Sequence, residues 1–259
     1  MRRLMAQSPH AAPNARPGWR TGDPVAIPGD YQWRALTEGP AVQRFWHQRK
    51  LELVGRTVPP QPGWRALDAG CGSGVVAHFL AEQGADVDAV DSNDAAIRFA
   101  RQRFARQGLR FHHGRLGELD FADESFDLVV CMEVVEHLVA EQVVDLLRRL
   151  GRLLAPRGRL LLTTPNVHSL WPAVEATMDL LRLSPPMRHG QHVTRFTRRR
   201  LERALGEAGL AAARYGRFCG LAPFAALLSW RLAERLDRLE WRLGQPLGNL
   251  LFAIAGRAS

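Results

Sequence analysis

Two acidic residues and a histidine lie close together in Glu133-Val134-Val135-Glu136-His137, directly after an apolar run typical of a buried strand. In open α/β sheets, ligands bind beyond the carboxyl ends of the strands, so these side chains should face a bound molecule. Histidine and carboxylate side chains are the usual carriers of protons near neutral pH. Glu136 and His137 are therefore the predicted catalytic residues. Pocket lining without a chemical role remains the alternative.

The same residues could instead hold a metal ion. Carboxylate oxygens suit a hard cation such as Mg²⁺, with water or substrate oxygens completing its shell, and a hydroxyl bound there becomes more acidic. The candidate ligands are Glu133, Glu136, His137 and, from a later loop, His192 or alternatively His189. Three interpretations stay open: pocket lining, a magnesium site, and a general base that needs no metal.

A glycine-rich turn, Asp68-Ala69-Gly70-Cys71-Gly72-Ser73-Gly74, joins a short apolar run to a helix-forming segment. Glycines let the backbone approach a ligand closely, and the helix start adds unpaired N–H groups. The spacing is G-x-G-x-G, whereas dinucleotide folds use G-x-G-x-x-G. Asp68 at the entrance would repel pyrophosphate and suits a cationic amino-acid group. Asp91 follows the end of the next predicted strand, where its carboxylate can accept two ribose hydroxyls.

These motifs resemble those of the class I S-adenosylmethionine-dependent methyltransferases. The segment Asp-Ala-Gly-Cys-Gly-Ser-Gly is similar to the family's first motif, Asp91 to its second, and Ser-Phe-Asp-Leu-Val-Val-Cys-Met-Glu to its fourth strand. The resemblance implies S-adenosylmethionine as the methyl donor. The donor-binding residues expected from the motifs are Asp68, Gly70, Cys71, Gly72, Gly74, Asp91, Ser92, Leu116 and Met132.

The acidic–histidine cluster, together with the apolar segment before His192, resembles the ubiquinone-pathway polyprenyl-catechol O-methyltransferases. This implies O-methylation of a small lipophilic acceptor, such as a quinone or phenol, a lipid or a polyketide-like molecule. The cluster is also similar to that of small-RNA 3′-terminal ribose methyltransferases, so RNA 2′-O-methylation is an alternative. A donor-binding protein without catalysis is a third hypothesis.

The elements that position these clusters alternate between strand and helix from residue 65 onward, which indicates a parallel sheet covered by helices. The family resemblance implies a Rossmann-like α/β fold with seven strands in the order 3-2-1-4-5-7-6, strand 7 antiparallel and helices on both faces. The predicted strands are 65–69, 85–90, 109–112, 126–132, 159–163, 211–218 and 249–255.

The predicted domain organisation is a disordered basic tail over residues 1–29 and a single methyltransferase domain over 30–259. Within that domain we expect a helical segment at 30–60, an apolar insertion or lid at 166–196, and an amphipathic helix at 221–245. Leucines 228, 232, 236, 239 and 243 of that last helix recur at helical spacing and form one apolar stripe.

The net charge of +9 comes almost wholly from arginine, because Lys50 is the only lysine. The arginines are spread along the chain, which argues against a nucleic-acid partner and leaves attraction to an anionic membrane open. We expect a small lipophilic substrate and peripheral membrane contact. Three cysteines without a C-x-x-C pair suit a reducing compartment, so the predicted location is the cytoplasm, with contact at the inner membrane face.

Overall fold

The computed structural model describes residues 27–173, 180 and 192–258. All but the last three residues of the predicted basic tail lie outside the described residues, as does most of the predicted insertion. Helices α1 (Tyr31–Thr37) and α2 (Ala41–Thr57) occupy the N-terminal segment. Pro40 is the N-cap residue of α2. A proline is tolerated there because the first residues of a helix donate no hydrogen bond within the helix.

The sheet has seven strands in the order β3-β2-β1-β4-β5-β7-β6, and β7 runs antiparallel to both neighbours. The predicted fold and strand order are therefore confirmed. The strands are β1 (Arg65–Ala69), β2 (Asp86–Asp91), β3 (Leu109–His113), β4 (Phe126–Met132), β5 (Leu154–Pro165), β6 (Leu210–Phe218) and β7 (Leu250–Arg257).

Helices follow the strands on both faces of the sheet. They are α3 (Val75–Glu82), α4 (Asp94–Arg103), α5 (Ala140–Leu153), α6 (Arg198–Glu207), α7 (Ala222–Ala225) and α8 (Trp230–Arg242), with single 3₁₀ turns at Leu116–Glu118 and Val135–His137. Within the described part of the chain, no helix is both long enough and apolar enough to cross a bilayer.

The central strands are buried on both sides, as their continuous apolar runs predict. In β4, Leu128 and Val130 pack in the layer with α3 and α4, whereas Val129 and Cys131 pack in the layer with α5 and α6. Each of these four side chains is fully buried. The carboxyl ends of β1, β2 and β4 are thereby fixed side by side beneath the candidate site.

Strand β5 begins earlier than its predicted start at residue 159. Leu154 pairs with Phe126 and Arg159 with Leu128, so the residues between them form an irregular bulge inside the strand. Pro156 and Gly158 lie in this bulge, which tolerates proline because bulged residues need not donate to the ladder.

The predicted single helix at 221–245 is wrong, because the chain breaks between α7 and α8. Ser229 has an extended backbone there, and its hydroxyl accepts a hydrogen bond from the Leu232 N–H at 3.4 Å, which starts α8 anew. The predicted leucine stripe is divided: Leu228 is 83% exposed and Leu243 65%, whereas Leu236 is partly buried and packs against the cluster around Phe45.

Buried polar contacts set the orientation of α8. Its buried residues are Ala233, Asp237 and Glu240. Asp237 accepts a hydrogen bond from Arg49 Nη1 at 3.1 Å, and Glu240 accepts one from the Leu221 N–H at 2.6 Å. Apolar periodicity predicts which face of a helix is buried only where the polar side chains of that helix have no buried partners. In α8, Asp237 and Glu240 do have such partners.

Candidate active site

The glycine-rich turn between β1 and α3 needs glycine at particular positions. Gly70 has φ +83° and Gly72 φ +50°, conformations that other residues rarely adopt. A Cβ at Gly70 would collide with the Val134 side chain. The N–H groups of Gly70 and Cys71 both donate to the Val90 carbonyl, at 2.8 and 2.9 Å, which fixes the turn to the end of β2.

Asp91 links this turn to the end of β2. Its Oδ2 accepts a hydrogen bond from the Gly72 N–H at 2.7 Å, and its Oδ1 accepts one from the Asn93 N–H at 2.8 Å. A carboxylate has about four acceptor positions, so two stay available for ligand hydroxyls. Asp91 can therefore shape the turn and bind a ribose at the same time.

Asp68 is buried at the entrance of the turn, with 2% of its surface exposed. Its Oδ2 has no hydrogen-bond partner among the described residues. Burial, and after it the charge of Asp91, raises the pKa of the carboxyl to about 7, with Lys50 opposing the rise. A cationic ligand group beside Oδ2 would remove this cost, as expected for the amino group of S-adenosylmethionine.

Helix α1 lies against the same turn, a feature that sequence reasoning missed. The Ser73 N–H donates to Gln32 Oε1 at 3.0 Å, and the Trp33 N–H donates to Ser73 Oγ at 2.9 Å. A Cβ at Gly72 would meet the Gln32 side chain. The sequence did not signal this contact, because its two hydrogen bonds join residues some forty positions apart.

A cavity of about 1250 Å³ contains the donor-side residues and the acidic–histidine cluster together. A single small-molecule site occupies roughly 300–1,000 Å³, so this volume suits a donor and an acceptor side by side. The predicted donor residues that line it are Asp68, Gly70, Cys71, Gly72, Asp91, Ser92, Leu116 and Met132. Gly74 does not line it: at φ +80°, it packs closely against Phe111 and Ala100.

Glu136 lies in the 3₁₀ turn after β4 and is 2% exposed. Thr164 Oγ1 at the end of β5 donates to its Oε2 at 3.0 Å. Thr194 ties the later loop to this turn, since its N–H donates to the Glu136 carbonyl at 3.0 Å and its Oγ1 donates to the Leu138 carbonyl at 2.7 Å. These bonds bring His192 next to the cluster.

Burial, and after it the charge of Glu133, raises the pKa of Glu136 to about 8. The hydrogen bond from Thr164 and the positive charge of Lys50 oppose this rise. A carboxyl group with such a pKa exchanges its proton near neutral pH, the property that general acid–base catalysis requires. The predicted catalytic position thus has a suitable proton affinity.

His137 and His192 complete a group of three with Glu136. The two rings are 5.2 Å apart, and one ligand-type atom from each residue lies within 4.8 Å of the others. Three of the four predicted metal ligands therefore come together. Glu133 does not join them, because its Oε2 pairs with Lys50 Nζ at 3.1 Å. Two imidazoles and one carboxylate favour a transition metal or zinc over Mg²⁺.

Lys50 and its neighbours from α1 and α2 form the opposite wall. Glu133, which pairs with Lys50, has φ +57°, a left-handed conformation that costs energy in a residue with a side chain. Burial, then the charge of Glu133, raises the pKa of Tyr31 to about 12. Burial, then Lys50, lowers the pKa of His47. Sequence reasoning missed this wall, although the only lysine among many arginines was a usable signal.

Aromatic rings connect the two sides of the cavity. Trp46 of α2 lies 5.2 Å from Trp171, and Trp171 lies 6.3 Å from His192, measured between ring centroids. Both tryptophans line the cavity, together with Val42, Leu138 and Phe224. The acceptor side therefore combines an apolar surface with a few polar groups, which is the usual composition of a small-molecule site.

The chain is similar to known methyltransferases. A family model described as a methyltransferase domain matches residues 40–214. The chain is 32% identical over 209 residues to a ubiquinone biosynthesis O-methyltransferase of Azorhizobium caulinodans, covering 79% of this chain and 78% of that protein. It is 34% identical over 141 residues to a probable S-adenosylmethionine-dependent methyltransferase of Mycolicibacterium smegmatis, covering 54% and 53%.

Among solved structures, an S-adenosylmethionine-dependent methyltransferase from Mesorhizobium loti has a similar fold. The TM-score is 0.60 at 22% identity, and the match covers 85% of this chain and 99% of that one. At this identity the likeness concerns the fold, and it agrees with the observed strand order.

Proposed function

Because this chain belongs to the class I S-adenosylmethionine-dependent methyltransferases, we propose that it methylates a hydroxyl oxygen of a small lipophilic acceptor, such as a phenol or catechol. One observation carries the proposal: a buried carboxyl with a pKa near 8, Glu136, opens into the cavity that also contains the donor turn. The proposed base and the proposed donor-binding turn thus line one cavity.

The donor side fits S-adenosylmethionine. The unpartnered oxygen of Asp68 would receive the amino group, and the remaining acceptor positions of Asp91 would receive the ribose hydroxyls. When bound, the donor supplies a methyl group on a sulfonium that is already a good leaving group. Catalysis by this chain is therefore mainly positioning, together with removal of one proton from the acceptor.

Glu136 is the proposed base. The acceptor O–H loses its proton to the carboxylate of Glu136, and the freed oxygen electron pair forms the new bond to carbon. Phenols have pKa values of about 10, so a base with a pKa near 8 suits a phenol better than an ordinary glutamate does. Lys50, which pairs with Glu133, lines the same cavity.

The apolar wall supports a lipophilic acceptor. Trp46, Trp171 and Phe224 present large apolar surfaces to the cavity. The relative from Azorhizobium carries ubiquinone biosynthesis in its name, and it matches most of both chains. A phenolic ring with an apolar substituent would use both the tryptophans and the proton-accepting carboxyl.

A metal-assisted variant of the same reaction is the second candidate, favoured by the grouping of Glu136, His137 and His192. A cation held there would lower the pKa of a bound hydroxyl without a protein base. The two routes differ in what a chelator does, which makes them separable in one experiment.

The test incubates the protein with isotope-labelled donor and a lipid extract or simple catechols, with and without chelator, and identifies the labelled product. We expect an O-methylated apolar product that forms in the presence of chelator. Glu136→Gln should lower kcat by about 10²–10⁴-fold, with donor Kd changed by less than about threefold. The matched control is Glu141→Gln, since Glu141 is an exposed carboxylate in the first turn of α5.

Each contrary outcome has a definite meaning. A product labelled on nitrogen, on carbon or on RNA ribose would refute the proposed acceptor class. If chelator abolished the product and Zn²⁺ or Mn²⁺ restored it, the metal-assisted route would be correct and Glu136 would not be the base. Full activity of Glu136→Gln without metal would remove Glu136 from the mechanism, and donor binding without any product would leave a binding protein.

A further inference from the structure

The exposed face of α8 and of the segments on either side of it has an unusual composition. Of the large apolar side chains that are exposed in the described part of the chain, most lie between residues 221 and 247: they are Leu221, Leu227, Leu228, Leu232, Leu239, Leu243 and Leu247. Exposed apolar residues scattered singly are normal, but a contiguous group of them marks an interaction surface.

Arginines form a second row beside the leucines. Arg231, Arg235, Arg238 and Arg242 recur at steps of four, three and four residues, which places them on one line of the helix, and all four are exposed. Leu232, Leu239 and Leu243 form the adjacent line and are 45%, 50% and 65% exposed. We call these two rows the arginine–leucine face.

None of these four arginines forms an ion pair with a described residue. Exposed arginines elsewhere do pair, as Arg198 does with Glu202 at 2.7 Å on α6. Of the three acids of α8, Asp237 and Glu240 point inward, to Arg49 and to the Leu221 N–H, and Glu234 forms no ion pair with a described residue. The outer face is therefore cationic as well as apolar.

The helix cannot easily turn its leucines inward. Rotation would break the buried contact between Arg49 and Asp237 at 3.1 Å and the contact between Phe45 and Trp230, whose ring centroids are 5.1 Å apart. Leaving a buried charge without its partner is strongly unfavourable. Exposure of the leucines is thus a consequence of the polar contacts beneath the helix.

From these observations we propose that the arginine–leucine face docks on an anionic lipid bilayer, with the leucines inserted at the headgroup level and the arginines against lipid phosphates. A helix with one apolar and one arginine-rich side, lying in the plane of the surface, is suited to this position. A second copy of this face would bring eight guanidinium groups together, and a nucleic acid would leave the leucines in water.

The surface is placed where a lipophilic acceptor could be delivered. Glu240 of α8 accepts hydrogen bonds from the N–H groups of Leu221 and Ala222, at the start of α7. Phe224 of α7 lines the cavity. The docking face and the cavity wall are therefore joined by one pair of short helices, although docking itself does not depend on the proposed acceptor.

The test measures flotation of the full chain with two kinds of vesicle. One is pure phosphatidylcholine, and the other contains roughly one third phosphatidylglycerol. We expect binding to the anionic vesicles only, and weaker binding as salt is raised. Leu232→Gln/Leu239→Gln/Leu243→Gln keeps the charge and should weaken binding at least about tenfold. Arg235→Gln/Arg238→Gln/Arg242→Gln keeps the leucines and should weaken it similarly.

The matched control removes three exposed arginines elsewhere, as Arg157→Gln/Arg199→Gln/Arg203→Gln, and should retain vesicle binding. Unchanged melting temperature and donor affinity show that each variant is folded. The proposal is overturned if the wild type stays unbound at low salt, or if the control loses as much binding as the α8 variants. It is also overturned if the leucine variant instead dissociates a dimer in solution, or if only RNA binding responds to the arginine variant.

Discussion

The donor side and the acceptor side of the cavity are built in different ways. The donor side comes mainly from one continuous stretch, from Asp68 to Asp91, and the contacts that shape its turn involve main-chain groups. The acceptor side draws on α2, the turn after β4, Trp171 and the loop containing His192, and its contacts are between side chains. A site made of backbone geometry binds one constant molecule, whereas a site made of distant side chains can change with the acceptor.

The largest expected effect follows from breaking the donor side at Asp91. Asp91→Ala removes the acceptor of two backbone hydrogen bonds and of the expected ribose contacts. Hydrogen bonds to charged groups contribute about 1.5–3 kcal/mol each, so losing both ribose contacts should lower donor affinity by on the order of 10²–10⁴-fold. Calorimetry with S-adenosylmethionine or its demethylated product measures this.

The matched control for Asp91→Ala is Asp86→Ala. Asp86 is the first residue of β2 and pairs with Arg110 at 2.8 Å, away from the cavity lining. It should change donor affinity by less than about twofold. Similar losses in both variants would mean that Asp91 acts through the stability of the strand and not through the donor.

A smaller, pH-dependent effect is expected at Asp68. Its folded pKa of about 7 lies above the ordinary value of 3.8, so the free protein holds a proton there at mildly acidic pH. The amino group of the donor favours the ionised carboxylate. Donor affinity should therefore rise with pH between about 5.5 and 7, and binding should release protons in that window.

Asp68→Asn should flatten this pH dependence and weaken donor binding about tenfold at pH 7. Calorimetry in two buffers with different ionisation enthalpies counts the protons released. A wild-type affinity that stays constant over the same pH range would contradict the proposed contact between Asp68 and the donor amine.

The smallest expected effect concerns Thr164, on the acceptor side of the cavity. Its hydroxyl donates to Glu136 and opposes the rise of the pKa of that carboxyl. Thr164→Val removes the bond, so the acidic limb of the pH–rate profile should move up by roughly half a unit to one unit. Activity on the high-pH plateau should change little, because the deprotonated base is the same.

Thr163→Val is a close control for this change. Thr163 precedes Thr164, is equally buried, and its hydroxyl has no hydrogen-bond partner among the described residues. It should leave the pH–rate profile where it is. A shift of equal size in both variants would show that packing near β5, and not the bond to Glu136, sets the profile.

The contrast between the donor side and the acceptor side also explains which features of this protein can be predicted from its sequence. The glycine positions and Asp91 could be read from sequence, because they encode a local backbone shape and its neighbouring strand end. Glu136 and His137 could be placed at the cavity for a similar reason: they follow a strand. The sheet order came from the resemblance to a known family and from alternating strands and helices.

Contacts between distant residues could not be predicted in this way. Lys50 and Glu133 are 83 residues apart, and Arg49 and Asp237 are 188 apart. The second pair holds the polar side of α8 inward, while the predicted extent of the helix was wrong because the chain breaks before Ser229. Helical periodicity locates a stripe of leucines, but only a buried partner decides which way the helix faces.

The ion pair between Lys50 and Glu133 also has a practical consequence. Because Lys50 is the only lysine, it supplies the only side-chain amine of this sequence, and it lies in the cavity wall with 11% of its side chain exposed. Lys50 is therefore the only side chain that an amine-directed label can modify as a lysine, and its modification reports on the cavity. Protection of Lys50 from such a reagent by a candidate acceptor gives a direct screen for occupancy, without any need for turnover.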